Sequence, residues 1–179
     1  MIPDNEEAIE ETIKKAEDTC DALVTTGGVS MGDFDYVKIV LNRLGEMRWM
    51  QVAIKPAKPL AFGTVNELPV FGLPGNPVSS MVSYELFARP ALRKMSGNKN
   101  PYRTIFEGKA TQDFLRKPYG KTHLFRVSAD VGEGTPKIQS AGHQGSHQLT
   151  GMAGANALAI LPDGNGVTQD ATLEFLFLD

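Results

Sequence analysis

Hydrophobic and polar positions along this chain follow two periods, and the change falls near residue 98. Over residues 5 to 19, Ile9, Ile13, Ala16 and Cys20 recur at spacings of four, three and four, the single apolar stripe of an amphipathic helix. Asp4 or Asn5 can cap it, and Glu6 and Glu7 fall in the first turn, where the helix dipole favours acids. Leu23 and Val24 open a β-favouring run that Thr25 and Thr26 end. Gly27, Gly28 and Gly32 then predict a sharp turn. A second helix starts near Phe34, with Val37, Val40, Leu41 and Leu44 on one face and Gly45 as its C-terminal cap. Helix, strand, helix is the rhythm of a parallel α/β sheet. Residues 47 to 54 are rich in strand formers, and 60 to 65 and 68 to 73 predict two strands about a turn at Asn66-Glu67. A further helix opens at Asn76-Pro77, runs to about Met95 with a kink near Pro90, and closes at Gly97.

Beyond a linker at residues 96 to 101, the pattern becomes short β-type runs: 104 to 110, 122 to 131, 155 to 161 and 171 to 178. Clusters of Gly, Pro, Asn and Asp separate them, as in a small all-β domain. In the last run Leu173, Phe175 and Phe177 alternate with Thr172 and Glu174, a half-buried strand. The chain thus divides into an α/β domain, residues 1–97, and a β-domain, residues 98–179.

Composition narrows the class. The 179 residues suffice for one large domain or two small ones, and 41% are apolar, the soluble globular range. A net charge of −3 gives no pointer to nucleic acid, and no run approaches the roughly 18 apolar residues of a membrane span. The acidic start, Met1-Ile-Pro-Asp-Asn-Glu-Glu7, is no signal peptide. Cys20 is the one cysteine, which excludes an internal disulfide and fits a cytoplasmic protein. No Cys/His cluster has zinc spacing.

The candidate chemistry begins at residues 21 to 35. A helix that starts just after a glycine turn aims free N–H groups at its neighbour, which suits a phosphate. Asp33 and Asp35 would repel that anion unless a cation such as Mg²⁺ lay between; as a bland alternative they are helix-start acids. In Lys55-Pro-Ala-Lys-Pro59 each proline extends the residue before it, and a polyproline turn of three residues would point Lys55 and Lys58 the same way, as an anion clamp. The bland alternative is two solvated lysines. Pro74-Gly-Asn-Pro77 is a second glycine turn at a helix start. His143 and His147 stand four apart in a polar loop, but Gly145 argues for a loop contact rather than a ligand pair, and Ser146 has no evident base.

In order, Gly-Gly-Val-Ser-Met-Gly-Asp-Phe-Asp, Lys-Pro-Ala-Lys-Pro, Gly-Leu-Pro-Gly-Asn-Pro and Gly-His-Gln-Gly-Ser-His resemble the MoeA family of molybdopterin molybdenumtransferases, which includes the gephyrin E domain. The resemblance covers nearly the whole chain. It implies a three-layer, MogA-like molybdopterin-binding α/β sandwich followed by a small β-domain like the family's domain IV. It implies insertion of molybdate into adenylylated molybdopterin, with Mg²⁺ and release of AMP. By matching position it assigns Asp35 to the metal and, with Lys55 and Lys58, to catalysis. It assigns Gly27, Gly28, Val29, Ser30, Gly32, Asp33, Pro59, Pro74, Gly75, Asn76, Pro77 and Ser79 to cofactor binding. A homodimer is implied for full-length members, with molybdopterin adenylyltransferase and molybdoenzyme chaperones as partners. Two departures stand out. Ala57 replaces the family's glycine, so the loop is expected to differ slightly there. The family's earlier Thr-Gly-Asp-Glu-type motif does not occur, so the sheet is expected to carry an unpaired parallel edge and an uncovered apolar face. The chain alone is then expected to be a poor catalyst; the alternative is a non-catalytic molybdopterin-binding or scaffold module.

Overall fold

The computed structural model describes residues 2–29, 35–145 and 149–178. The chain forms two compact units: Met1–Val52 with Ala57–Leu92, and Ala53–Pro56 with Arg93–Asp179. The division falls at Leu92 rather than at residue 97. The Lys55 strand joins the second unit because its backbone pairs there.

In the first unit, α1 (Glu6–Thr19) begins at Asn5, whose Oδ1 accepts the Ala8 N–H at 2.9 Å. The sheet has the order β1-β5-β4-β2, from β1 (Leu23–Thr26), β5 (Leu68–Leu73), β4 (Pro59–Val65) and β2 (Glu46–Gln51). It is mixed, a correction to the parallel sheet that the element rhythm predicts. Only β1 and β5 run parallel among its described pairs. β4 and β5 form a hairpin about Asn66-Glu67, with Asn66 at φ 51°, and a tight hairpin can join only antiparallel strands. Ile9 and Ile13 of α1 and Val40 and Leu41 of α2 (Tyr36–Leu44) pack on Val65 and Val70. The opposite sheet face, Leu60, Phe71 and Leu73, takes Ala88 and Leu92 of the long helix. Each fully buried Val or Leu here contributes about 1.5–3 kcal/mol, so two apolar faces hold three layers together. β1 is the edge strand on one side, and Val24 is 37% exposed, as expected.

The long helix comprises α3 (Pro77–Ser83), a π-helical turn (Tyr84–Ala88) and α4 (Arg89–Met95). Pro90 lacks an N–H, and its ring would crowd the carbonyl four residues back. Just before it the Arg89 N–H bonds the Tyr84 carbonyl five residues back, so the helix passes through a π turn next to the proline. Gly97, at φ 81°, closes the helix as predicted.

The second unit is a closed barrel. Strands β6 (Phe106–Ala110), β8 (Thr122–Asp130), β9 (Lys137–Ser140), β10 (Ala157–Leu161) and β12 (Thr172–Phe177) pair in the cycle β10-β12-β6-β9-β8-β10. Phe125, Val127, Ile138, Ala159, Leu173 and Phe175 fill the interior. Closure satisfies the edges that an open sheet of short strands would expose. The segment β3 (Ile54–Lys55) lies parallel to the start of β8, so the single strand expected over 47 to 54 is two. Strand β9 escapes sequence reading because Ile138 is its one apolar residue. The short β7 (Phe114–Leu115) and β11 (Gly166–Val167) pair with each other. A short helix, α5 (Leu149–Ala153), makes the unit not purely β. Among the described residues no helix is long and apolar enough to cross a membrane.

Candidate functional site: a crevice at the ends of β1 and β5

The parallel neighbours β1 and β5 are followed by helices on opposite faces of the sheet: α2 over Val65 and Val70, and the π turn and α4 of the long helix over Phe71 and Leu73. Such a divergence opens a crevice beyond the carboxyl ends of the strands, where open α/β sheets take ligands. Two of the loops singled out in the sequence meet there. The Gly27 N–H donates to the Leu73 carbonyl at 2.9 Å, and a Cβ on Gly75 would sit 3.4 Å from the Gly27 Cα. Gly27 and Gly28 take φ of 93° and 76°, the left-handed region that other residues avoid. A Cβ on Gly28 would come within 2.5 Å of the Val37 Cβ, so glycine lets the turn lie against the first turn of α2. Val29 is buried and fills the space that Gly72 leaves.

Two helix N-termini open at this end. Asp35 caps α2, its Oδ1 accepting the Val37 N–H at 3.2 Å. Asn76 precedes α3 without a side-chain capping bond, Pro77 takes the first helical position, and Ser79 is buried. A groove of about 890 Å³ runs from Gly27, Gly28 and Asp35 along β1 to Ile2 and Pro3, walled by Ile9, Ile13 and Val37. Ser30, Gly32 and Asp33, and also Ser146 and His147, lie outside the described residues.

Among the described residues no three His, Cys, Asp or Glu side chains group to hold a metal. At the crevice Asp35 spends Oδ1 on its cap. Its other oxygen suits an ion such as Mg²⁺, which keeps several waters and leans on substrate phosphates rather than on a full protein cage.

The lysine segment departs from expectation. The Lys55–Pro56 peptide is cis and Ala57 has φ 74°, so there is no polyproline turn to align Lys55 with Lys58. Lys55 belongs to the second unit and Lys58 to the first, where its carbonyl accepts the Val52 N–H at 2.7 Å. Ala57 adopts the left-handed conformation that a glycine would take, at a cost of about 1–2 kcal/mol, so the substitution stores strain there. Pro59 opens β4.

Sequence reasoning missed Arg126. Within β8 its neighbours Phe125 and Val127 point into the barrel, so Arg126 reads as an outward, solvated position. Instead it is fully buried beneath the Gly142–Gly145 loop and α5. Its Nη2 donates to the carbonyls of His143 at 2.6 Å and Gly145 at 3.2 Å. The Gln144 amide clamps its backbone, accepting from the Arg126 N–H at 2.8 Å and donating to its carbonyl at 3.0 Å. Its Nε and Nη1 have no hydrogen-bond partner among the described residues. A buried arginine keeps its charge, and a buried donor without a partner calls for a water or an anion beside it. The one pointer in the sequence was the glycine loop that covers it.

His123, also buried, has neither ring nitrogen bonded. Burial, then the charges of Lys55, Arg116 and Arg126, push it down to about 4. Its folded value lies below the unfolded one, so the stability of keeping it neutral is present above about pH 6.5 and is lost as pH falls toward 4. We expect a loss of about 2 kcal/mol between about pH 7 and pH 5. Urea melts across that range check it: His123→Phe should flatten the slope, and an unchanged slope would refute the assignment.

Comparisons with known proteins give the family. Residues 1–94 match a family model described as "Probable molybdopterin binding domain", and residues 108–176 match one described as "MoeA C-terminal region (domain IV)". The chain is 35% identical to a molybdopterin molybdenumtransferase of Haemophilus influenzae, over 93% of this chain and 41% of that protein. It is 34% identical to a molybdopterin molybdenumtransferase of Bacillus subtilis, over 96% of this chain and 39% of that one. It is 33% identical to gephyrin of Dictyostelium discoideum, over 97% and 27%. The chain thus spans about two fifths or less of the length of these curated relatives. In fold it is similar to the molybdopterin biosynthesis MoeA protein of Pyrococcus horikosii, with a TM-score of 0.77 at 23% identity, over 99% of this chain and 42% of that one. With a crevice at the switch between β1 and β5 and a closed barrel behind the Gly-His-Gln-Gly loop, the chain belongs to the MoeA family, its first part matching the molybdopterin-binding domain and its last part domain IV.

Proposed function

We propose that the protein acts in molybdenum cofactor biosynthesis, in the insertion of molybdate into adenylylated molybdopterin with release of AMP. The contact of two glycine loops at the carboxyl ends of β1 and β5 carries this reading: Gly27 lies against Gly75, and two helix N-termini begin there. Bare backbone lets a phosphate approach closely, and helix N-termini favour its charge. In this reading Gly27, Gly28 and Pro74 to Pro77 bind the pyrophosphate and pterin, and Asp35 holds Mg²⁺. The ion would neutralise charge on the phosphates as the adenylate bond breaks. Lys55 and Lys58 bind negative oxygens and need not move a proton. In the barrel unit, the idle Nε and Nη1 of Arg126 suit a compact tetrahedral oxyanion, molybdate. A cytoplasmic homodimer working with an adenylyltransferase and molybdoenzyme chaperones accords with this role.

Incubation with adenylylated molybdopterin, molybdate and Mg²⁺ tests the reading. Mg²⁺-dependent binding at the crevice supports the enzyme reading, with little or no AMP release expected of this chain alone; binding that does not depend on Mg²⁺ favours the scaffold alternative; no binding overturns both. Asp35→Asn separates cap from metal. Asparagine caps a helix as well as aspartate does, so stability should hold within a few tenths of a kcal/mol. The Mg²⁺-dependent part of nucleotide affinity should vanish, and calorimetry with and without Mg²⁺ that finds it intact would remove Asp35 from the metal.

A further inference from the structure

We propose that Tyr119 is a positioning residue for oxyanion capture in the barrel unit, its ring steadying the ammonium groups of Lys55 and Lys121 for a tetrahedral oxyanion. The proposal deepens, and rests on, the assignment of Lys55 to a negative oxygen.

The ring sits on a rigid bracket. Arg116 Nη1 donates to the carbonyls of Leu161 at 3.0 Å and Pro162 at 2.9 Å, and Nη2 donates to the Lys121 carbonyl at 2.6 Å and to Asp163 at 2.8 Å. Asp163 in turn accepts the N–H groups of Tyr119 and Gly120, each at 3.0 Å. The Arg116 guanidinium lies 4.6 Å from the ring centroid. The two terminal nitrogens of Arg116 and the Asp163 carboxylate are therefore committed to each other and to backbone, and their role is to fix the tyrosine.

The remaining cations differ. Lys55 Nζ lies 5.5 Å and Lys121 Nζ 5.8 Å from the same centroid, within cation–π range. Neither has an ion-pair partner among the described residues. Lys55 is exposed, but its backbone is pinned: Ile54 and Lys55 pair with Thr122 and His123, and the Thr122 N–H bonds the Ala53 carbonyl at 2.9 Å. Tyr119 itself is 39% exposed, so the platform is open to solutes. Both ammonium groups stand by one open ring, so an oxyanion arriving there meets positive charge already in place. A free lysine would forfeit rotamer freedom on binding; the ring has already restricted both. His123, beside Lys55 in register, stays neutral and adds no charge of its own. It therefore reports the event, because neutralising Lys55 removes one cause of its depression.

The test titrates molybdate, and separately phosphate, into the full chain, reading affinity by calorimetry and the His123 pKa by NMR. Tyr119→Leu and Lys121→Met should each weaken binding about two- to fivefold, the range of an exposed cation–π contact. Tyr119→Phe, which keeps the ring, should bind like the parent. The rise in His123 pKa on adding molybdate should shrink in Tyr119→Leu. Molybdate bound more tightly than phosphate identifies the metal oxyanion as the ligand; equal affinity identifies a phosphate group as an equivalent one. Parental affinity in Tyr119→Leu with weakened binding in Lys55→Met overturns the proposal and leaves the Lys55 assignment standing. Parental affinity in Lys55→Met overturns both. Equal loss in Tyr119→Phe and Tyr119→Leu also overturns it, since the ring would not be the cause. If Tyr119→Leu does not fold, Lys121→Met decides alone, and full affinity there sinks the idea.

Discussion

Gly28→Ala is expected to destabilise the first unit by about 3 kcal/mol and to abolish nucleotide binding at the crevice. Two costs add. At φ 76° an L side chain meets its own carbonyl, about 1–2 kcal/mol. The new methyl would also stand 2.5 Å from the Val37 Cβ, a branch point that cannot swing away as a side-chain tip can, and overpacking of that kind costs about 1–3 kcal/mol. The strain relaxes only if α2 withdraws, and Asp35, which caps α2, withdraws with it. Gly27→Ala serves as the comparison: its φ of 93° imposes backbone strain, but a Cβ there meets nothing within 4 Å. Gly28→Ala should therefore be the worse of the two in chemical denaturation. Equal losses would show that backbone conformation, and not the Val37 contact, makes glycine necessary.

Arg126→Met is expected to lower molybdate affinity about a hundredfold while changing stability by about 1 kcal/mol or less. Two charge-assisted hydrogen bonds at about 1.5 kcal/mol each set the first figure. The second is a balance. The variant leaves the His143 and Gly145 carbonyls without their donor, but it also removes a buried charge with two unsatisfied nitrogens. Replacing buried charges by apolar groups of similar size is often neutral or stabilising. Calorimetric titration with molybdate beside a urea melt separates the outcomes. A large loss of stability with unchanged affinity would make Arg126 a clasp for the Gly142–Gly145 loop and nothing more.

These two residues differ in how visible they are before folding. Gly28 stands in a turn between a β-run and a helical stripe, and its type alone shows that the backbone turns there. Arg126 stands where strand alternation sends it to solvent, and only the loop and helix laid over that face bury it. The Lys-Pro segment misleads for a different reason. Prolines restrict φ but do not choose the peptide isomer, and the cis bond with a left-handed Ala57 replaces the regular turn that would have aligned the lysines. β9 was invisible because Ile138 is its one apolar residue, and pairing with β6 and β8 makes it a strand.

What this chain determines locally is the set of element types in the first unit, the caps at Asn5, Gly45 and Gly97, the change from helical to strand period near residue 98, and the glycine turns. All of these follow from contacts between residues close in sequence, where propensity and period decide. The pairing of β2 with β4, the closure of the barrel, the transfer of Lys55 to the second unit and the burial of Arg126 were decided by the tertiary structure. Each depends on which distant segments share hydrogen bonds and exclude water together, and no local pattern records that choice.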